Sequence, residues 1–267
     1  MNQESASLAI EHEADIVRIR PLNVNAVQLT LLAPRLAETA QPGQFVNVKT
    51  PYMLRRPIGI MDADPASGQI DLGIRMVGKG TEWLAGCKIG ETLSLLGPLG
   101  HGFDLSGWKR VITVGGGTGV FPLYFVQQAC RRENIDAIAV CGYPSKQDSI
   151  LTEEYASCGC QVLFASDAGD MDIAGHAAWA LEHLLTDLEP EPETVIMSCG
   201  PKVMMQSVAE LARRYKLACQ VSLEERMACG IGVCLVCTCK TRDSRGQEQM
   251  SRCCSEGPVF AAEDVIW

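Results

Sequence analysis

Toward the end of the sequence three cysteines fall in one short run, Cys229-Gly230-Ile231-Gly232-Val233-Cys234-Leu235-Val236-Cys237. Four residues separate the first two and two separate the second and third. This is the C-x4-C-x2-C spacing of plant-type iron–sulfur loops, and it requires a fourth cysteine further on. Cys253 and Cys254 both follow, with Cys239 a weaker spare. A [2Fe–2S] core needs four thiolates around a compact centre. Gly230 and Gly232 remove side chains where the backbone must turn closely around it. Two plainer uses of cysteine fit less well. Disulfides are disfavoured by an odd total of 13 and by an N-terminus, MNQESASLAIEHEAD, that is polar and acidic rather than signal-like. Structural zinc prefers paired C-x2-C knuckles, and an adjacent Cys253-Cys254 is a poor second knuckle.

The 267 residues suggest about two domains, and 47% hydrophobic content supports substantial cores. A net charge of −9 argues against nucleic acid or an anionic membrane as partner. No apolar run approaches the roughly 20 residues needed to span a bilayer. Free thiols without an export signal point to a reducing cytoplasm.

Residues 1–13 read as a poorly ordered lead-in. From Ala14 to Phe103 short alternating segments, such as Ile16–Ile19, Ala26–Leu31, Gln44–Val48 and Gln69–Arg75, are bounded by turn clusters. That pattern predicts a small antiparallel barrel. One helix is expected over Glu82–Leu84 with Thr81 as its N-cap. The pattern then changes to α/β. Strands are predicted at Arg110–Val114, Ala137–Val140, Gln161–Ala165 and Thr194–Ser198, and helices at Val120–Arg132, Ala174–Leu185 and Lys202–Tyr215. This alternation implies a doubly wound parallel sheet. The expected division is 12–106 for the barrel, 107–220 for the α/β domain and 221–267 for the cysteine module.

Gly115-Gly116-Gly117-Thr118-Gly119 joins a predicted strand to a predicted helix, a geometry that lets backbone N–H groups approach a pyrophosphate. It is not the strict G-x-G-x-x-G, because position 120 is Val. A tight turn without a ligand is the plainer alternative. No acidic residue stands cleanly after the next strand, so NAD and NADP remain open. The adjacent Arg55 and Arg56 sit in an otherwise apolar stretch, Leu54–Ile60. They are costly there unless an anion such as phosphate pairs with them, although an ordinary surface pair is the simpler reading.

Taken together these residues resemble the ferredoxin–NADP reductase superfamily. More closely, the chain resembles electron-transfer subunits of the NAD-dependent (class 1B) dihydroorotate dehydrogenases. The most specific stretch is Ser222-Leu223-Glu224-Glu225-Arg226-Met227-Ala228-Cys229-Gly230-Ile231-Gly232-Val233-Cys234, continued by Cys254-Ser255-Glu256-Gly257-Pro258. The resemblance implies FAD held by Arg56, Pro57, Ile58 and Gly59, by Gly73, Ile74 and Arg75, and by Gly80 and Thr81. A serine common in the family is Gly59 here, which removes one side-chain hydrogen bond to the flavin. It further implies NAD bound by Gly115, Gly116, Gly117, Thr118 and Gly119 with Cys199, Gly200 and Pro201. It selects Cys254 to join Cys229, Cys234 and Cys237 as cluster ligands, since the family's last cysteine stands three residues before its Gly-Pro.

The implied partner is an FMN-containing dihydroorotate dehydrogenase catalytic subunit, in a heterotetramer of two of each. The implied role is electron transfer from that FMN through [2Fe–2S] and FAD to NAD+ in pyrimidine synthesis, with no catalytic acid or base in this chain. Relatives with the same modules serve sulfhydrogenases, sulfite reductases and ferredoxin:NADP oxidoreductases. A non-enzymatic redox sensor would need no nicotinamide site, and a zinc-stabilised structural subunit would need neither flavin nor iron.

Overall fold

The computed structural model describes residues 10–189 and 191–267. Its first strand, β1 (Ile10–Asn23), is long enough to serve two neighbours. Ile10–Asp15 pair antiparallel with β6 (Thr92–Leu99), and Asp15–Asn23 pair with β2 (Ala26–Leu32). The expected lead-in is therefore corrected at Ile10–Glu13, which is strand; residues 1–9 lie outside the described residues. With β3 (Phe45–Val48), β4 (Arg56–Asp64) and β5 (Gln69–Arg75), the six strands close in the order β1-β2-β5-β4-β3-β6. Closure leaves no edge strand to aggregate. Alternating side chains such as Leu29 and Leu31, Ile70, Leu72 and Ile74, and Leu93 and Leu95 fill its core.

Two short helices belong to this domain. α1 (Pro34–Thr39) begins with the proline, which suits a first turn where the missing N–H is not needed, and buries Leu36 and Ala37. α2 (Lys79–Ala85) starts earlier than its sequence suggested: Gly78 is the N-cap and Thr81 the third helical residue. Thr81 Oγ1 accepts from the Val77 N–H at 3.0 Å and donates to the Gly78 carbonyl at 3.0 Å. The hydroxyl caps by reaching back from inside the helix.

The second sheet has seven strands in the order β10-β9-β8-β7-β11-β12-β15. Its core pairs β7 (Arg110–Gly116) with β8 (Asp136–Tyr143) on one side and β11 (Thr194–Cys199) on the other, all parallel. β9 (Gln161–Ser166) and the two-residue β10 (Ile173–Ala174) extend one flank, and β12 (Ala218–Ser222) the other. Helices α3 (Val120–Glu133), α4 (Thr152–Ser157), α5 (Ala177–Asp187) and α6 (Lys202–Tyr215) connect them. The helix expected from Ala174 starts at Ala177, because Gly175 takes φ +128° and Ala174 pairs with β9.

The remaining chain forms a hairpin, β13 (Thr238–Arg242) with β14 (Glu248–Arg252), and then β15 (Val259–Ala261), which adds antiparallel to β12. The cysteine module is thus stitched into the nucleotide sheet. It also touches the barrel, where the His101 N–H donates to the Gly257 carbonyl at 2.7 Å. Helix α3 packs on β4: its Phe125 joins the barrel core, and Val120 and Phe121 cluster with Met61. Barrel, sheet and module therefore share continuous packing.

Candidate functional site

The cysteine loop follows β12 and reaches β3, where Asn47 Nδ2 donates to the Cys229 carbonyl at 3.4 Å. Gly230 and Gly232 both adopt the left-handed conformation, φ +74° and +81°. A Cβ at Gly230 would come 2.6 Å from Asn47 Nδ2, and one at Gly232 would come 2.7 Å from Ser255 Oγ. Both glycines are therefore required by turn and by space. The folded loop directs backbone donors at sulfur. Ile231 and Cys234 N–H groups donate to Cys229 Sγ at 3.4 Å each, and the Gly232 N–H donates to Cys254 Sγ at 3.1 Å. Burial pushes the Cys229 thiol up, but these donors outweigh it and bring it down to about 6. A thiol held this way readily gives the thiolate that binds metal.

The two neighbouring cysteines point to different places. Cys254 meets Cys237 and the Gly232 N–H; burial and the Cys237 contact raise its thiol to about 12. Cys253 instead packs against Cys239, which pushes the Cys253 thiol well up and the Cys239 thiol down. The structure thus sets Cys254 against Cys237 and the Gly232 N–H, on the side of the Cys229 loop, and turns Cys253 toward Cys239. Cys234 is the exposed member of the loop. Among the described residues no three metal-ligating side chains converge on a single point; a two-iron core asks instead for two thiolates on each iron. The donor set and the N–H groups aimed at sulfur suit such a core.

The two arginines divide their work. Arg55 Nη2 contacts Glu11 at 2.5 Å, and its Nη1 donates to the Asn47 carbonyl at 3.2 Å, so it fastens β1 to β3. Arg56 has no carboxylate within ion-pair distance among the described residues. Its Nη1 donates to the Leu54 carbonyl at 2.7 Å. Its stem crosses α2 at Gly80, where a Cβ would lie 2.2 Å from Nε. Arg56, Gly80 and Thr81, separate in sequence, therefore meet. Pro57, Ile58 and Gly59 continue β4 opposite Asn47, Val46 and Phe45. Gly59 leaves room, with Pro122 at 3.8 Å from a built Cβ. Gly73 is different: its missing side chain is filled by the Phe121 ring at 2.3 Å, so it serves the packing of α3 on the barrel. Ile74 is in the barrel core, while Arg75 is exposed at the strand end and faces Gly117.

β7 ends at Gly116, one tight turn covers Gly117–Gly119, and α3 begins at Val120. This loop abuts the one after β11. A Cβ at Gly119 would lie 2.0 Å from the Cys199 carbonyl oxygen, and one at Gly116 would lie 2.8 Å from Pro201. Gly200 takes φ +147°, and a Cβ there would lie 2.9 Å from the Gly116 nitrogen. Cys199 is buried; burial and then the Glu224 carboxylate raise its thiol to about 12, so it stays neutral at physiological pH. Arg75, Gly117, Thr118 and Gly200 line a cleft of about 610 Å³, a size suited to a nucleotide. Lys240 and Trp267, from the cysteine module, line it too.

Sequence reasoning passed over Asn47, Lys240 and Trp267. Asn47 left a signal: it is the one polar residue in a four-residue strand that is wholly buried, and its Oδ1 has no partner among the described residues. Lys240 and Trp267 left none, since only the return of β15 to the sheet carries the module to the cleft.

A closed barrel with an arginine laid across a helix start, a glycine loop meeting a Cys-Gly-Pro loop, and a cysteine loop with N–H groups aimed at sulfur define a flavin- and NAD-binding reductase with an iron–sulfur module. Comparison with known proteins agrees. Residues 18–103 match an oxidoreductase FAD-binding domain and residues 113–210 an oxidoreductase NAD-binding domain. Residues 224–266 match the iron-sulfur cluster binding domain of dihydroorotate dehydrogenase B. The electron transfer subunit of dihydroorotate dehydrogenase B (NAD(+)) from Bacillus caldolyticus is 36% identical over 246 residues, covering 90% of this chain and 92% of that one. Its counterpart from Enterococcus faecalis (strain ATCC 700802 / V583) is 35% identical, covering 94% and 96%. Among solved structures, a chain of NADH-dependent reduced ferredoxin-NADP oxidoreductase superposes with a TM-score of 0.84 at 27% identity, covering 95% of this chain and 90% of that one. The chain belongs to the family of electron transfer subunits of NAD-dependent dihydroorotate dehydrogenase B.

Proposed function

We propose that this chain reduces NAD+ with electrons drawn singly from an FMN-containing catalytic subunit, which alone carries out the oxidation of dihydroorotate. The observation that carries this reading is the meeting of the Gly115–Gly119 and Cys199–Pro201 loops at one cleft, with the cysteine loop held by the same sheet through β15. FAD exchanges electrons one or two at a time and the cluster one at a time, so together they join a one-electron donor to hydride transfer.

The chain's own residues bind and orient. Arg56, with no carboxylate in ion-pair distance among the described residues, would take an FAD phosphate bidentately beside Gly80 and Thr81, with Pro57, Ile58 and Gly59 along the flavin strand. Arg75 completes that edge, with Gly73 and Ile74 behind it in the packing of α3 and the barrel core. The backbone at Gly115, Gly116, Gly117, Thr118 and Gly119 would receive the NAD pyrophosphate, with α3 behind it. Cys199, Gly200 and Pro201 would close the cleft near the nicotinamide, Cys199 as a neutral buried thiol. Cys229, Cys234, Cys237 and Cys254 would hold the cluster. No side chain is asked to move a proton.

Ile231 is 47%, Val233 74%, Leu235 61% and Val236 52% exposed, an apolar face on the loop that carries the ligands. It is the surface offered to the catalytic subunit, placing the cluster at the contact. Two copies of each subunit and a cytoplasmic location complete the proposal; among the described residues no helix is long and apolar enough to cross a membrane. The test is anaerobic titration of the purified chain with NADH, followed by addition of the catalytic subunit and orotate. Flavin bleaching by NADH and NADH-dependent reduction of orotate support the reading. Flavin that NADH leaves oxidised refutes it. The 0.84 TM-score to the ferredoxin-NADP oxidoreductase chain favours one alternative partner. Co-purification of a subunit of that kind, in place of a dihydroorotate dehydrogenase, would select it.

A further inference from the structure

We propose that the iron–sulfur module is itself part of the NAD site, with Trp267 as a stacking wall and Lys240 as a cation for the phosphates. The proposal rests on the assignment of the 610 Å³ cleft to NAD, and adds a contribution from a module otherwise concerned with the cluster. The glycine loop and Lys202 line the cleft, and so do Lys240, Met250 and Trp267 from the module.

Charge points to an anion. Arg75, Lys202 and Lys240 all line the cleft, and among the described residues none has a carboxylate within ion-pair distance. Glu224 and Glu225 line the same space, but neither is within ion-pair distance of any of these three cations. Unpaired cations gathered in one cleft of an acidic protein are what a pyrophosphate needs. Trp267 is half-buried and joins the hydrophobic cluster under the module, so its ring is held while part of it faces the cleft. Its backbone is also fixed. The Ile266 N–H donates to the Lys240 carbonyl at 3.0 Å, Val265 bridges to Thr241, and the Arg242 N–H donates to the Asp264 carbonyl at 2.8 Å. Lys240 and Trp267 are thereby set at a constant spacing. An aromatic face beside a cation matches a dinucleotide, whose flat rings flank its phosphates. Damage to the module would then weaken NAD binding directly, besides interrupting electron flow.

The test is NAD+ binding by calorimetry to the holoprotein with FAD and cluster in place, for Trp267→Ala, Trp267→Phe and Lys240→Ala. The expected result is a Kd about tenfold weaker for Trp267→Ala, the loss of one stacking contact, with most of it restored by Trp267→Phe. Lys240→Ala should weaken binding and flatten its dependence on salt. Flavin and cluster absorbance report folding; if Trp267→Ala loses them, the exposed Lys240 decides alone. Variants that keep both cofactors and bind NAD+ as the wild type does overturn the proposal. Wild-type holoprotein that fails to bind NAD+ overturns the parent assignment of the cleft as well.

Discussion

Replacing Gly119 by alanine tests the join between the two nucleotide loops. Gly119 has ordinary helical torsions, φ −60° and ψ −17°, so alanine carries no backbone strain there. The obstacle is contact alone. The added Cβ would lie 2.0 Å from the Cys199 carbonyl oxygen and 2.4 Å from its carbon, where real Cβ atoms keep at least 3.0 Å. Both partners are backbone, so no side chain can swing aside. Relief requires the loops to separate by about 1 Å, and misplacement on the order of 1 Å can cost about 10²-fold in rate. Overpacking of this kind typically costs about 1–3 kcal/mol in stability. Stopped-flow reduction of the bound flavin by NADH should therefore slow by roughly 10- to 100-fold, with the melting temperature lowered and FAD still bound. Gly78→Ala is the control, because its Cβ would meet nothing within 4 Å. A Gly119→Ala protein that is reduced by NADH as fast as wild type would refute the claim that the abutting loops form the nicotinamide site.

Four further outcomes are expected. Cys254→Ser should abolish [2Fe–2S] absorbance, whereas Cys253→Ser should keep it, because Cys253 packs against Cys239; the reverse result would exchange the ligands. Arg56→Ala should weaken FAD binding by roughly tenfold or more, the loss of a charge-assisted pair, while Arg55→Ala should leave FAD affinity intact and slightly lower the melting temperature through the Glu11 contact. A glutamate at Val233 or Leu235 should weaken association with the catalytic subunit in a pull-down while flavin reduction by NADH continues; loss of both would indicate collapse of the module instead. Burial raises the Asp62 carboxyl above its ordinary value, and Arg132 only partly opposes this. Its protonated form is therefore the stabilising one: that contribution is complete below the unfolded pKa of ~3.9 and is lost as pH rises through the folded value. Asp62→Asn should thus melt higher than wild type near pH 7, with the gap closing toward pH 4.

Much of this architecture was legible because local pattern and tertiary role coincide. Gln69–Arg75 and Lys202–Tyr215 were read with their observed bounds, since alternation in one and amphipathic spacing between Pro201 and Lys216 in the other decide them. The signal failed where structure depends on distant partners. Ile10–Glu13 looks polar and extendable, and it is ordered by pairing with Ser94–Gly97 and by the Glu11–Arg55 contact. Thr81 looked like an N-cap because Ser and Thr usually cap from outside the helix, but here the Gly78 backbone occupies that position and the hydroxyl reaches back. Gly73 belonged to a glycine-containing motif that resembles an FAD segment, yet the space it leaves is taken by Phe121, a residue 48 positions later in the numbering of the chain. A glycine's sequence context says that something comes close, but not what.

The cysteine module shows the same limit in its most consequential form. Read along the chain, it is an appendix that follows a finished nucleotide domain. In the fold, β15 supplies the last strand of that domain's sheet, so Val221 pairs with Phe260 across the loop that carries the first three cysteines. The segment from Leu223 to Pro258 is therefore closed at both ends on one strand, and the Leu223 N–H donates to the Pro258 carbonyl at 2.8 Å. A redox loop tethered at one end would drift with respect to the cleft, and the rate of electron transfer would drift with it. Anchored at both ends on β12, and against the barrel through Gly257 and His101, it moves only if the nucleotide sheet moves. The return strand fixes the cysteine loop against the surfaces assigned to FAD and NAD, and it does so with backbone pairing that no cysteine spacing could have announced.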